Sequence, residues 1–254
     1  VPVVATDAPA KLGLDELREA LDDLLTTVPA AEDRGRPRLW VDRAFAARGA
    51  GTVVTGMLTD GVLRVGDKVE VQPAGVGARI RALQNHYEER EELPPGTRCA
   101  LNLVGVAHTQ VQRGDVVIGP DQWHLATVVD ASLRVLDQLD HSVSRRGAHV
   151  AYLGAGEHPV RMRILGPEAL GPGREGSVRL FLPRPLPLLP GDRFVLRESG
   201  RSETVGGGCV LDVDPRERAS RARPDRSVDR VVRERSWVSS DELERLTGER
   251  REPD

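Results

Sequence analysis

Asp42 and Arg43 stand side by side at the start of a glycine-punctuated string, Val41-Asp42-Arg43-Ala44-Phe45-Ala46-Ala47-Arg48-Gly49-Ala50-Gly51-Thr52-Val53-Val54-Thr55-Gly56. Arg98 follows Gly96-Thr97, and Arg145, Arg146, His149, Arg161 and Arg163 crowd a later stretch. A carboxylate can take an amino group and orient a neighbouring guanidinium. Arginine cannot deprotonate, so it presents a fixed positive charge to an anion. No catalytic triad, paired-carboxylate site or metal cage is recognisable in the residue pattern. Of 36 basic residues only Lys11 and Lys68 are lysine. Neither ends a G-x-x-x-x-G-K-[ST] loop and neither belongs to an Asn-Lys-x-Asp, so these residues lack the parts that hold a nucleotide by that route. Aromatic residues make up 3% of the chain, which argues against a base-stacking platform.

The elements that must carry these residues change character along the chain. Leu14, Leu17, Leu21, Leu24 and Leu25 recur at helical spacing, with Asp15 and Glu16 in the first turn, which predicts a helix over 12–25. Pro29 and the charged stretch 32–37 read as a linker. From residue 38 to about 214, short β-branched runs alternate with Gly, Pro and Asp turns, the pattern of barrels and not of βαβ units. That span is long for one small barrel, and Gly119-Pro120-Asp121 is a natural seam. Residues 215–228 are basic and polar, a linker by composition. After them Ser239 or Ser240 could cap a helix that contains Leu243 and Leu246 and ends near Gly248.

The totals agree with this division. At about 150 residues per domain, 254 residues allow roughly two domains, and a net charge of −3 means that nucleic-acid binding must rest on a local patch. No apolar run approaches the ~20 residues that span a bilayer. Two cysteines, Cys99 and Cys209, make no disulfide framework, and a reduced, cytoplasmic setting is expected.

The order of the motifs carries more than any one glycine. The string through Thr52-Val53-Val54-Thr55-Gly56, followed by Gly61-Val62-Leu63-Arg64-Val65-Gly66-Asp67, resembles the second domain of translational GTPases of the elongation factor Tu superfamily. Residues 79–86, the run 96–106 and Arg113-Gly114-Asp115 then resemble the selenocysteine-specific branch, the SelB family. Residues 190–197 and 204–212 are similar to that family's third domain. The resemblance implies a mainly β fold of two consecutive small β-barrels. A helix from the end of a GTPase domain would precede them and the start of a winged-helix region would follow. In residue numbers it implies a GTPase-domain remnant and linker at 1–36, barrels at 37–121 and 122–214, a linker at 215–228 and a truncated winged helix at 229–254.

The resemblance also implies a task for the arginines. A factor of this family must prefer a selenocysteinyl ester over a seryl ester on the same tRNA, and the selenol is largely ionised at neutral pH. Asp42, Arg43 and Arg98 match the family's charged pocket. Asp42 would contact the amino group of the ester and orient Arg43; Arg43 and Arg98 would face the selenolate. Arg145, Arg146, His149, Arg161 and Arg163 would contact tRNA phosphates, and His86 is set outside the pocket. For the full-length parent the implied cofactors are GTP and Mg2+, with none expected for this part. The implied partners are selenocysteinyl-tRNA, the ribosome and, through domains beyond this chain, an mRNA hairpin; no membrane is expected. A general or initiator aminoacyl-tRNA carrier, or a barrel pair used only for protein contact, stays open at this point.

Overall fold

The computed structural model describes residues 3–249 apart from 48 and 50. Arg48, Ala50 and the last residues of the expected winged-helix tail therefore lie outside the described residues. The chain divides after Glu32 into two compact units.

The first unit holds a helix, α1, over Leu14–Thr27. Asp15 and Glu16 occupy its first turn, and Asp15 pairs with Arg18 at 2.9 Å. Leu21, Leu24 and Leu25, on the apolar stripe, are exposed.

The second unit is built on strands. The first nine are β1 (Arg38–Ala47), β2 (Gly51–Thr59), β3 (Leu63–Arg64), β4 (Lys68–Gln72), β5 (Val76–Asn85), β6 (Glu88–Arg90), β7 (Glu92–Leu93), β8 (Arg98–Val104) and β9 (Val116–Ile118). Six of them run in the order β4-β9-β1-β2-β8-β5, with the β4–β5 pairing closing the ring; β6 pairs with β5 outside it, and β3 pairs with β7. Alternation fills it: Val54 and Leu58 from β2 and Leu101 and Leu103 from β8 point into one core with Leu39 and Val41. Their neighbours Val53, Thr55, Ala100 and Asn102 are left on the outer face.

The second set is β10 (Leu125–Val135), β11 (Val143–Ser144), β12 (His149–Leu153), β13 (Gly156–Leu165), β14 (Ala169–Leu170), β15 (Glu175–Pro187), β16 (Arg193–Glu198) and β17 (Glu203–Asp212). Six of them form a second closed barrel, β10-β15-β13-β12-β16-β17. The fold is thus mainly β, with two barrels in succession, as the strand spacing implies.

The barrels are fastened to each other by side chains that polar composition alone would assign to the surface. Trp40 leaves the first barrel and joins the core cluster of the second. Gly154 makes room for it: a Cβ there would lie 2.1 Å from the indole, and its φ of +55° already favours glycine. Arg38 is 4% exposed and donates to both oxygens of Asp192 (2.6 and 2.8 Å), to Asp60 (3.2 Å) and to the Pro187 carbonyl (2.8 Å). Its guanidinium lies 4.7 Å from the Trp123 ring and 5.7 Å from Trp40, and Arg36 covers Trp123 at 5.2 Å. A second tie joins Arg184 to Asp115 at 2.9 Å.

Two short helices, α2 (Val228–Arg235) and α3 (Ser240–Thr247), complete the unit. Ser239 caps α3 by accepting from the Glu242 amide, and Gly248 ends it in the left-handed conformation. Val228, Val231, Leu243 and Leu246 join the second barrel's core cluster, and Arg230 is buried between Asp212, Asp225 and Glu234. The stretch before α2, polar enough to read as a linker, is pinned as well: Arg179 donates to the Glu217 carbonyl at 3.0 Å and Arg216 pairs with Asp214 at 2.7 Å.

Candidate functional site

A β-bulge sets the geometry on the first barrel. Val41 lies opposite Gly56 and Arg43 opposite Thr55, so Asp42 is an extra residue in β1. Leu39 and Val41 before the bulge and Ala44 after it pack on the interior, which puts Asp42 and Arg43 together on the outside. Gly56 lets β2 approach closely here, since a Cβ would meet the Trp40 carbonyl oxygen at 2.0 Å. A plain strand would have pointed Asp42 and Arg43 to opposite faces.

Arg98 arrives from β8, whose first residue pairs with Met57 on β2. Its guanidinium donates to Asp42 Oδ2, and the Thr55 hydroxyl donates to Asp42 Oδ1 at 2.5 Å. Asn85 fixes the backbone beneath, its side-chain amide donating to the Arg98 carbonyl at 2.8 Å. The sequence leads one to expect Asp42 to orient Arg43; its hydrogen-bonded partner is instead Arg98, while exposed Arg43 acts on it through charge. Burial opposes the charge on Asp42, but Thr55, Arg98 and Arg43 outweigh that and hold the carboxyl below the ordinary aspartate range. Asp42 is therefore an anion at neutral pH, and the three charges sum to one positive.

Beside this pair lies a cleft of about 570 Å³. Phe45, Val53, Ala82 and Ala100 give it apolar surface, and Thr55, Gln84 and Asn102 add polar groups. His86, Tyr87 and Glu89 line the hairpin side, so His86, which the sequence reading sets outside the charged pocket, lines the cleft that adjoins it. Thr55, Asn85 and Tyr87 were not singled out from sequence. Thr55 had a signal, because it lies in the glycine string on the outward phase of β2; Asn85 and Tyr87 had none, since their roles depend on a turn.

The second barrel carries a separate cluster. Arg145, Arg146 and Arg163 line one cleft of about 390 Å³ together with Glu168. Arg163 and Arg161 project from the same face of β13, and Arg161 lies 5.1 Å from the Phe181 ring. None of these four arginines forms an ion pair among the described residues. His149 departs from the group: it is 3% exposed, facing the inside of the barrel, because β12 alternates from a buried first position. Burial pushes its pKa down against the opposing charge of Glu198, and it offers no charge to a surface ligand.

Comparison with known proteins gives this arrangement a family. Elongation factor Tu domain 2 matches residues 51–118, and the β-barrel domain of the selenocysteine-specific elongation factor matches residues 129–217. The selenocysteine-specific elongation factor of Desulfomicrobium baculatum is 32% identical over 211 residues, 83% of this chain and 33% of that protein. Its Escherichia coli counterpart is 32% identical over 213 residues, 82% of this chain and 32% of that protein. The crystal structure of a bacterial selenocysteine-specific elongation factor superposes with a TM-score of 0.78 at 23% identity, over 96% of this chain and 41% of the other. The chain spans about a third of the length of these two relatives. Two barrels in succession, each matched by the corresponding family domain, and relatives aligned across both show that the chain belongs to the selenocysteine-specific elongation factor (SelB) family of the elongation factor Tu superfamily.

Proposed function

We propose that this chain is the part of a GTP-dependent translation elongation factor that binds selenocysteinyl-tRNA, for delivery to the ribosome at UGA codons marked by an mRNA hairpin. The observation that supports it most is the bulge-built Asp42–Arg98 pair with Arg43 beside an apolar cleft. Asp42 takes the amino group of the aminoacyl ester through lone pairs that Thr55 and Arg98 leave free. Arg98 spends one donor on Asp42 and keeps others for the selenolate, and Arg43 supplies the uncompensated positive charge. A seryl hydroxyl is neutral and gains nothing from that charge. The apolar cleft receives the rest of the 3′ end.

Arg145, Arg146, Arg161 and Arg163 hold the tRNA stem by phosphate contacts, which set register without reading bases. GTP and Mg2+ belong to the complete protein in this reading. The described residues do not fit a nucleotide: the turn from Lys11 through Gly13 into α1 lacks the Gly-Lys-[Ser/Thr] order of a phosphate loop, and Lys68 opens β4.

The test is tRNA binding as a function of salt. Phosphate contacts make affinity fall as salt rises, by roughly 0.7–0.9 in the log–log slope per contact. Replacing Arg145, Arg146 and Arg163 together by alanine is expected to flatten that slope by about two units while leaving the preference for selenocysteinyl-tRNA in place. An unchanged slope removes the second barrel from the interface, and failure to bind any tRNA at low salt favours a protein-contact module.

A further inference from the structure

Arg98 is 57% exposed, which weakens any recognition by charge. Opposite charges attract about fourfold less at the dielectric constant of water, ~80, than at the ~20 typical near a protein surface. Salt screens an exposed pair further. The open site alone therefore discriminates poorly between a selenolate and a hydroxyl, unless binding brings a cover that excludes water.

The hairpin joining β5 and β6 holds a candidate cover. Its register pairs Asn85 with Glu88, so the turn consists of His86 and Tyr87, with φ of +52° and +67°. Two-residue turns with positive φ at both centres are the natural place for Asn-Gly. Histidine is among the types that tolerate this conformation, but the bulky tyrosine is a strained choice, and such strain clusters at functional positions. Tyr87 is 100% exposed, the most exposed aromatic side chain on the first barrel, yet it lines the same cleft as Phe45. The hydrogen bond from Asn85 to the Arg98 carbonyl ties the base of this hairpin to the strand that carries the charge.

We propose that Tyr87 is a specificity-determining residue: its ring closes over the bound aminoacyl ester against Phe45 and dries the contact between Arg98 and the selenolate. The inference rests on the reading of the Arg98 site given under the proposed function. The ionisable groups that line the cleft with Tyr87 are Arg98 from β8 and His86 and Glu89 from its own hairpin. Arg98 supplies the attraction and Tyr87 the dry surroundings that make the attraction count.

The test compares selenocysteinyl-tRNA with seryl-tRNA bound to the chain at low and physiological salt, together with melting temperatures. Tyr87→Ala is expected to lower the selenocysteinyl preference about tenfold and to make what remains salt-sensitive; Tyr87→Phe keeps it. The double change His86→Asn, Tyr87→Gly is expected to raise the melting temperature while lowering the preference as Tyr87→Ala does, an opposition that a purely structural turn does not produce. Preference untouched by Tyr87→Ala, where Arg98→Ala abolishes it, overturns this inference alone. Preference untouched by Arg98→Ala as well, or no tRNA binding by the unmodified chain, overturns the underlying reading of the site together with it.

Discussion

Arg38→Ala lowers the melting temperature of the barrel pair by on the order of 10 °C. The guanidinium is buried between Asp60, Asp192 and the Pro187 carbonyl and stacked between two indoles. Burial works against its charge, yet the two aspartates outweigh that and raise its pKa further. Removing it leaves two carboxylates short of a partner and a hole between Trp40 and Trp123. Breaking a buried pair from one side costs about 3–5 kcal/mol, and each kcal/mol shifts the melting point of a unit this size by roughly 2–4 °C. Thermal denaturation followed by circular dichroism measures it. A shift under about 2 °C would mean that the barrels are held by their apolar contacts alone.

The second large effect is on ligand choice. Arg98→Ala is expected to weaken selenocysteinyl-tRNA by roughly 10–100-fold, the worth of about 1.5–3 kcal/mol for hydrogen bonds to charged groups. Seryl-tRNA is expected to lose much less, because in the proposed reading its neutral hydroxyl does not engage the charge. Arg98→Lys keeps a positive charge but not the planar fork that spans Asp42 and the ligand at once, and falls between the two. Titration of both aminoacyl-tRNAs against each variant checks the pair of effects. Equal weakening of the two ligands would assign Arg98 to tRNA affinity in general.

The parts of this molecule legible in sequence are those written locally. Two barrels follow from short β-branched runs with turn residues at regular spacing, and the cap of α3 follows from Ser239 and Gly248. Asp42, Arg43 and Arg98 stood out because the motif order resembles a known family. What stayed hidden depends on long-range geometry. Arginine in a polar stretch looks solvated, yet Arg38 and Arg230 are buried clamps, because carboxylates 154 and 18 residues away along the chain meet them. The bulge that turns Asp42 and Arg43 to one face is a matter of register between β1 and β2, invisible in either strand alone. His149 looked like one more cation in a basic stretch, and only the phase of β12 shows that it points inward.

The proposed site reads charge and not size, and cysteine isolates the two. A thiol resembles a selenol in shape but ionises near pH 8.5. The most direct measurement is the affinity of the chain for the same tRNA charged with cysteine, followed from pH 6.5 to 9 with selenocysteinyl- and seryl-tRNA alongside. Cysteinyl-tRNA is expected to bind like seryl-tRNA at the acid end and to approach selenocysteinyl-tRNA as its thiolate forms, with Arg98→Ala abolishing the rise. A cysteinyl affinity that stays flat across that range would contradict a charge-reading site.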